Sequence, residues 1–143
     1  MKALVLAHLL ATLTMFGVIW TIQLVHYPLF SGVGADGFSD YAEQHRLRIT
    51  WIVLPAMLVE LGTALWFVFD RPDAWPSWAA WAGLALVGVV WLSTAVLQVP
   101  LHGALSGGFD PDAHSRLVGT NWIRTVAWTG RAALVLWLLH RSL

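Results

Sequence analysis

The chain has 143 residues, 58% of them hydrophobic and 11% charged, with a formal net charge of zero. A soluble domain of this length would carry about a quarter charged residues, and no basic run is present to hold nucleic acid. The lack of cysteine excludes disulfides, thiolate metal sites and thiol catalysis. Ten Trp against eight Lys plus Arg, with a mean hydropathy of +0.68, is the composition of a chain that meets membrane interfaces.

About 20 helical residues cross about 30 Å of hydrocarbon, and four segments are long enough. The first spans roughly 3–28. Lys2 and an apolar centre give it the look of a signal peptide, but it is too long, His8 interrupts it and no small-x-small site follows. A retained transmembrane helix is expected. It ends in "TIQLVHYPLF", where Gln23, His26 and Tyr27 stand about one turn apart. Polar groups left in hydrocarbon are costly and usually functional.

The second segment, 41–69, starts with Asp40 and Glu43 as a capping pair, contains Pro55, where a kink is tolerable if neighbours satisfy the freed carbonyl, and carries Glu60 deep inside it. After the break "DRPDAWPS", Trp75, Trp78 and Trp81 read as interface anchors. The third, 78–102, aligns Thr94, Gln98 and His102 at intervals of four. The fourth, 115–140, has Ser115 as its expected N-cap. The expected fold is therefore all-α, a single four-transmembrane-helix bundle over residues 1–143, multi-pass and integral to the membrane. Counting Arg48 and Arg124 as site residues leaves the N-terminal side marginally more basic, hence cytoplasmic.

Sliding the chain by 76 positions pairs His26 with His102, Leu29 with Leu105, Gly32 with Gly108, Asp36 with Asp112, Ser39 with Ser115 and Arg48 with Arg124. Chance would give roughly one or two identities over such a stretch. Two parallel helix-hairpin repeats are expected, related about an axis along the membrane normal. In that frame His45 meets Asn121. His26 and His102 then end two helices at the mouth where His45 with Arg48, and Asn121 with Arg124, begin the other two. The residues of each of those last pairs stand three apart and share a helix face. A polar pocket built from both halves follows, with Gln23, Gln98, Tyr27 and Trp122 beside it as substrate contacts.

Residues 98–128, "QVPLHGALSGGFDPDAHSRLVGTNWIRTVAW", resemble the C-terminal half of the anthrone-oxygenase-like family of small four-helix membrane proteins. Val99, Pro100 and Leu101 match its Val-Pro-Leu-Asn stretch, with His102 standing where the family has Asn. Asn121, Arg124 and Thr125 match its Asn-x-x-Arg-Thr. The resemblance implies oxidation of a polycyclic phenolic anthrone to an anthraquinone, without an obvious cofactor motif.

Three chemistries fit these residues. In an oxidoreductase acting on a lipophilic aromatic or quinone-like substrate, Arg48 and Arg124 would hold a phenolate or enolate oxygen. One of His26, His45 or His102 would act as base. Alternatively, His26, His45 and His102 are a ligand set for a transition metal or haem. His8 is excluded as a haem partner of His26 by about 27 Å of helix axis. A non-enzymatic subunit or small transporter is the third reading, and four spans would need a homo-oligomer to build its path. Membrane lipid and a lipophilic small molecule are the expected partners. Glu60 and Arg131, offset by roughly 7.5 Å along the axis in the repeat frame, are expected to form a buried ion pair.

Overall fold

Long apolar runs satisfy their own backbone groups only as helices when no water is at hand, and helices account for almost the whole chain. The computed structural model describes residues 1–142, with no strand among them. Helix α1 (Lys2–Thr21) continues into a π-helical turn (Ile22–His26) and a 3-10 turn (Pro28–Gly32). A short 3-10 turn (Ala35–Gly37) leads into α2 (Phe38–Phe69), which runs unbroken through Pro55. Helix α3 (Ser77–Ser93), a second π-helical turn (Thr94–Gln98) and α4 (Val99–Leu105) form one rod. Helix α5 (Pro111–Arg141) closes the fold.

Three rods, Lys2–Gly32, Ala35–Phe69 and Ser77–Leu105, are long and apolar enough to cross a membrane by length and composition. The fourth expected span does not reach that standard on composition, because α5 carries Asn121, Arg124 and Arg131. All three are buried inside the bundle. Its outer face is apolar, with Ile123, Val126 and Leu136 exposed.

The ends differ from the sequence expectation. The first helical run continues to Gly32 and the second begins at Phe38, after Gly37 and with no side-chain cap. Asp40 and Glu43 are therefore not a capping pair; Glu43 instead grips Arg46 at 2.7 Å. Ser115 lies inside α5, whose N-cap is Asp110. The Asp110 carboxylate accepts from the Asp112 and Ala113 amides at 2.9 and 3.1 Å. Pro111 takes the first helical position, where its missing N–H costs nothing. Gly108, at φ +138°, makes the turn between α4 and α5 in a conformation that side-chain-bearing residues avoid.

Both π turns have the same local cause. Each ends two residues before a proline, Pro28 or Pro100, whose ring cannot fit against the carbonyl four residues back. The chain widens by one residue, so Tyr27 N–H donates to Ile22 C=O and Val99 N–H to Thr94 C=O, five residues back. Such widened turns recur at functional sites, and here each turns polar side chains inward: Gln23 and Gln98 are both fully buried.

In cross-section α1 neighbours α2 and α5, and α3 neighbours the same two, so α2 faces α5 across the centre. Apolar layers stack along the axis. One lies at the His-bearing end, around Tyr27, Phe30, Phe38 and Leu105; a middle one is built on Met15, Ile19, Met57 and Trp128; one at the opposite end holds Phe67, Trp75 and Leu138. Trp75 is therefore a core residue, not an interface anchor. It is buried against Phe67 and donates to Ser142 Oγ at 3.0 Å. Trp78 and Trp81 remain exposed. Arg48 is exposed too, which returns it to the flanking charges. Lys2, Arg71 and Arg141 then stand at one end and Arg46, Arg48 and Arg116 at the other, so charge favours neither orientation.

Candidate functional site

Two buried polar clusters occupy different depths of the bundle. The one nearer the N-terminus ties all four rods together. Arg131 Nε on α5 lies 2.6 Å from Glu60 Oε1 on α2, and Trp128 Nε1 donates to Glu60 Oε2 at 2.9 Å. Arg131 also donates to the Gly83 carbonyl of α3 and to Thr12 Oγ of α1. Thr63 donates its hydroxyl proton to the Val59 carbonyl at 2.7 Å, so His8 Nδ1–H donates to Thr63 Oγ at 2.6 Å. That tautomer turns the His8 Nε2 lone pair toward Arg131 Nη2, 3.5 Å away. Every charge here is met, and the adjoining void is only about 20 Å³.

The second cluster surrounds Arg124. Its Nε and Nη2 donate to Asn121 Oδ1, one turn earlier on α5. Nη2 also donates to the Tyr27 hydroxyl at 3.2 Å, and Nη1 to Thr94 Oγ at 3.4 Å. Asn121 is itself fixed by donating to Gln23 Oε1 at 2.8 Å, which also accepts from Thr125. A guanidinium has five N–H donors; these bonds occupy four and leave one on Nη1. No carboxylate partners Arg124 among the described residues, whose two salt bridges are Glu43–Arg46 and Glu60–Arg131. Arg124 is nonetheless only 6% exposed. A buried cation bonded solely to neutral groups has paid its desolvation cost without a counter-charge.

Arg124 lies at the base of a crevice of about 660 Å³ between α2 and the α3–α4 rod, with Tyr27, Thr94, Gln98 and His102 beside it. The stripe expected from Thr94, Gln98 and His102 thus lines this crevice. Its walls are mainly apolar, including Met57, Trp91 and Trp128, while Glu43, Arg46 and Thr50 line it as well; Leu54 and Val99 are exposed, as are Arg46 and Thr50. The Tyr27 hydroxyl accepts from Arg124, and the acceptor within reach of its own proton is His102 Nε2, 2.8 Å away. His102 consequently carries its proton on Nδ1.

His26 and His45 lie on the other side of Tyr27. His26 Nε2 and His45 Nδ1 are 2.7 Å apart, and the His45 and His102 ring centres are separated by 5.6 Å. Both His26 and His45 line a second groove of about 1090 Å³ between α1 and α2. The imidazoles form a row rather than a ligand sphere. Among the described residues no group of three His, Asp or Glu side chains is placed to hold a metal ion. The metal or haem ligation expected of His26, His45 and His102 thus has no three-residue ligand group behind it among the described residues, where His26 and His45 contact each other directly.

Two further expectations are corrected. Arg48 does not join Arg124: it is exposed on the rim of the α1–α2 groove and donates to Gln44 at 3.1 Å. Trp122 points outward, edge-on to Trp20, and borders neither cavity named above. His114, on α5, donates its Nε2–H to the Tyr27 carbonyl at 2.8 Å. That bond helps hold the irregular end of the first rod, and only the fold reveals it. No family profile, curated protein or solved structure matches the chain.

Proposed function

We propose that the protein is a membrane oxidoreductase of oxygenase type, and that a lipophilic phenolic or anthrone-like substrate enters the α2/α3–α4 crevice sideways from the bilayer. The observation that carries this reading is Arg124, a buried guanidinium without a carboxylate at the base of a mostly apolar crevice. A phenolate or enolate oxygen supplies the missing negative charge and takes the remaining Nη1 proton. Tyr27 and His102 supply the base. When the Tyr27 hydroxyl passes its proton to His102 Nε2, the oxygen left behind keeps the Arg124 N–H and can take a proton from substrate.

For an anthrone the balance is simple. The ring CH₂ loses one proton to this pair and becomes an enolate held on Arg124. Dioxygen, the co-substrate, adds at that carbon, the peroxide anion takes back the proton held by the pair, and loss of water from the resulting hydroperoxide leaves the quinone carbonyl. One oxygen atom enters the product and the other leaves as water. The likeness of Asn121, Arg124 and Thr125 to the anthrone-oxygenase motif supports the reaction class. The matching π turns before Pro28 and Pro100 support two duplicated hairpins, with a local offset of 72 rather than 76.

The test is aerobic conversion of anthrone to anthraquinone by detergent-purified protein, followed by absorbance. Wild type is expected to turn over, and Arg124→Lys to lose about 100-fold or more, since Lys cannot reproduce the fork held by Asn121 and Tyr27. A folded Arg124→Lys variant with wild-type turnover would overturn the reading.

A further inference from the structure

We infer that the groove between α1 and α2 is a binding site for one glycerophospholipid, with a phosphoethanolamine headgroup held between Arg48 and Asp40 and an acyl chain lying along α1. The inference goes beyond the crevice reading and does not depend on it. Arg124, Thr94 and His102 line only the crevice, whereas Asp40, Gln44 and Arg48 line only the groove.

The groove encloses about 1090 Å³, and its lining changes character along its length. On α1 the lining residues Leu13, Gly17, Thr21 and Val25 recur every four residues, one stripe of a helix. On α2, Ile52 and Ile49 line the apolar part, and Arg48, Gln44 and Asp40 follow toward the helix start. The groove therefore begins near the middle of the Lys2–Gly32 rod and turns polar toward the rod's end. From Leu13 to Val25 is about 18 Å of helix axis, against about 15 Å for one leaflet of a hydrocarbon core about 30 Å thick. That is the depth of an acyl chain running from headgroup level to the midplane. Leu13, Val25 and Ile52 are exposed along it, so the protein itself does not cover this apolar stretch.

Charge at the polar end selects the headgroup. Among the described residues lining the groove, Arg48 is the one permanent cation and Asp40 the one carboxylate. Neither has an ion-pair partner among the described residues, whose salt bridges are Glu43–Arg46 and Glu60–Arg131. Arg48 leans one turn toward Asp40 and donates to Gln44 Oε1 at 3.1 Å. Gln44 and Asp40 are a further turn apart, about 6 Å along the axis. A phosphate and an ammonium joined through two carbons can cover that interval. The phosphate takes the Arg48 fork, and the ammonium N–H groups donate to the Asp40 carboxylate. A phosphoglycerol headgroup brings the same phosphate with no cation to offset Asp40, and a choline has no N–H to donate.

The experiment is native mass spectrometry of delipidated, detergent-purified protein titrated with phosphatidylethanolamine, phosphatidylcholine or phosphatidylglycerol of identical acyl chains. One phosphatidylethanolamine is expected to bind per chain, about tenfold more tightly than either of the others, the worth of one hydrogen bond to a charged group. Asp40→Asn should remove the preference for ethanolamine over choline, and Arg48→Gln should weaken all three lipids about tenfold. Both positions are exposed, so the fold does not depend on them. Gly17→Leu should block the acyl channel: a Cβ there meets nothing within 4 Å, so the new side chain enters the groove without displacing its neighbours. Equal affinity of wild type for the three headgroups, the behaviour of unselective annular lipid, would overturn the site. So would tighter binding of phosphatidylglycerol, or unchanged phosphatidylethanolamine affinity in Gly17→Leu.

Discussion

The Glu60 cluster and the Arg124 cluster are built from the same kind of material and end in opposite states. Each centres on an α5 arginine buried among polar side chains from neighbouring helices. Arg131 meets a carboxylate at 2.6 Å and is surrounded by almost no empty space. Arg124 meets only amide and hydroxyl oxygens and borders a crevice of about 660 Å³. A saturated buried network fixes how helices pack, because each partner has one place to be. An unsaturated one keeps binding free energy in reserve for a ligand that completes it.

That difference should separate stability from activity in mutants. The largest effect is expected at Glu60→Ala, which leaves Arg131 charged without its counter-ion and should cost about 3–5 kcal/mol in a reversible unfolding titration in detergent. Replacing Glu60 and Arg131 together by Met should return most of that loss, because removing both members of a buried pair is often nearly neutral. Arg124→Met should behave in the reverse sense. Turnover is expected to fall by about 100- to 1000-fold, while the same titration moves by less than about 2 kcal/mol, since the charge removed had no counter-ion. Equal stability losses at Arg124 and Glu60 would abolish the distinction between the clusters.

Tyr27→Phe sharpens the comparison from inside the site. It keeps the ring among Phe30 and His45 but removes the oxygen between Arg124 and His102, so turnover should drop by about 100-fold or more for about 1 kcal/mol of stability. Asp110→Ala, which uncaps α5, should cost about 1 kcal/mol with turnover retained, read by thermal melting beside the anthrone assay. Trp122→Leu is expected to change least, because the ring borders neither cavity; a large activity loss there would place substrate outside the crevice.

How much of this could be read beforehand depended on the range of the interaction. Asp110 followed by Pro111 is a local helix-start signal and was legible, although Ser115 drew the expectation five residues too far. The two π turns also have a local origin, yet hydropathy cannot see them: the widening depends on a proline ring against a carbonyl, not on polarity. The repeat frame placed His45 and Arg48 as counterparts of Asn121 and Arg124. It failed at Arg48, because the rotation of a helix about its axis is set by its neighbours. On α5 the face bearing Asn121 and Arg124 turns inward, whereas α2 turns Arg48 outward.

By itself the sequence determined a helical, lipid-compatible chain with scarce polar groups at particular depths, because apolar length and the cost of unpaired backbone act locally. Which of those groups meet was decided only by tertiary packing. Hydrogen bonds and ion pairs need their atoms within about 3 Å, and side chains 68 to 98 residues apart, such as Trp128 with Glu60 or Asn121 with Gln23, reach that range only when helix rotation and axial register are both fixed.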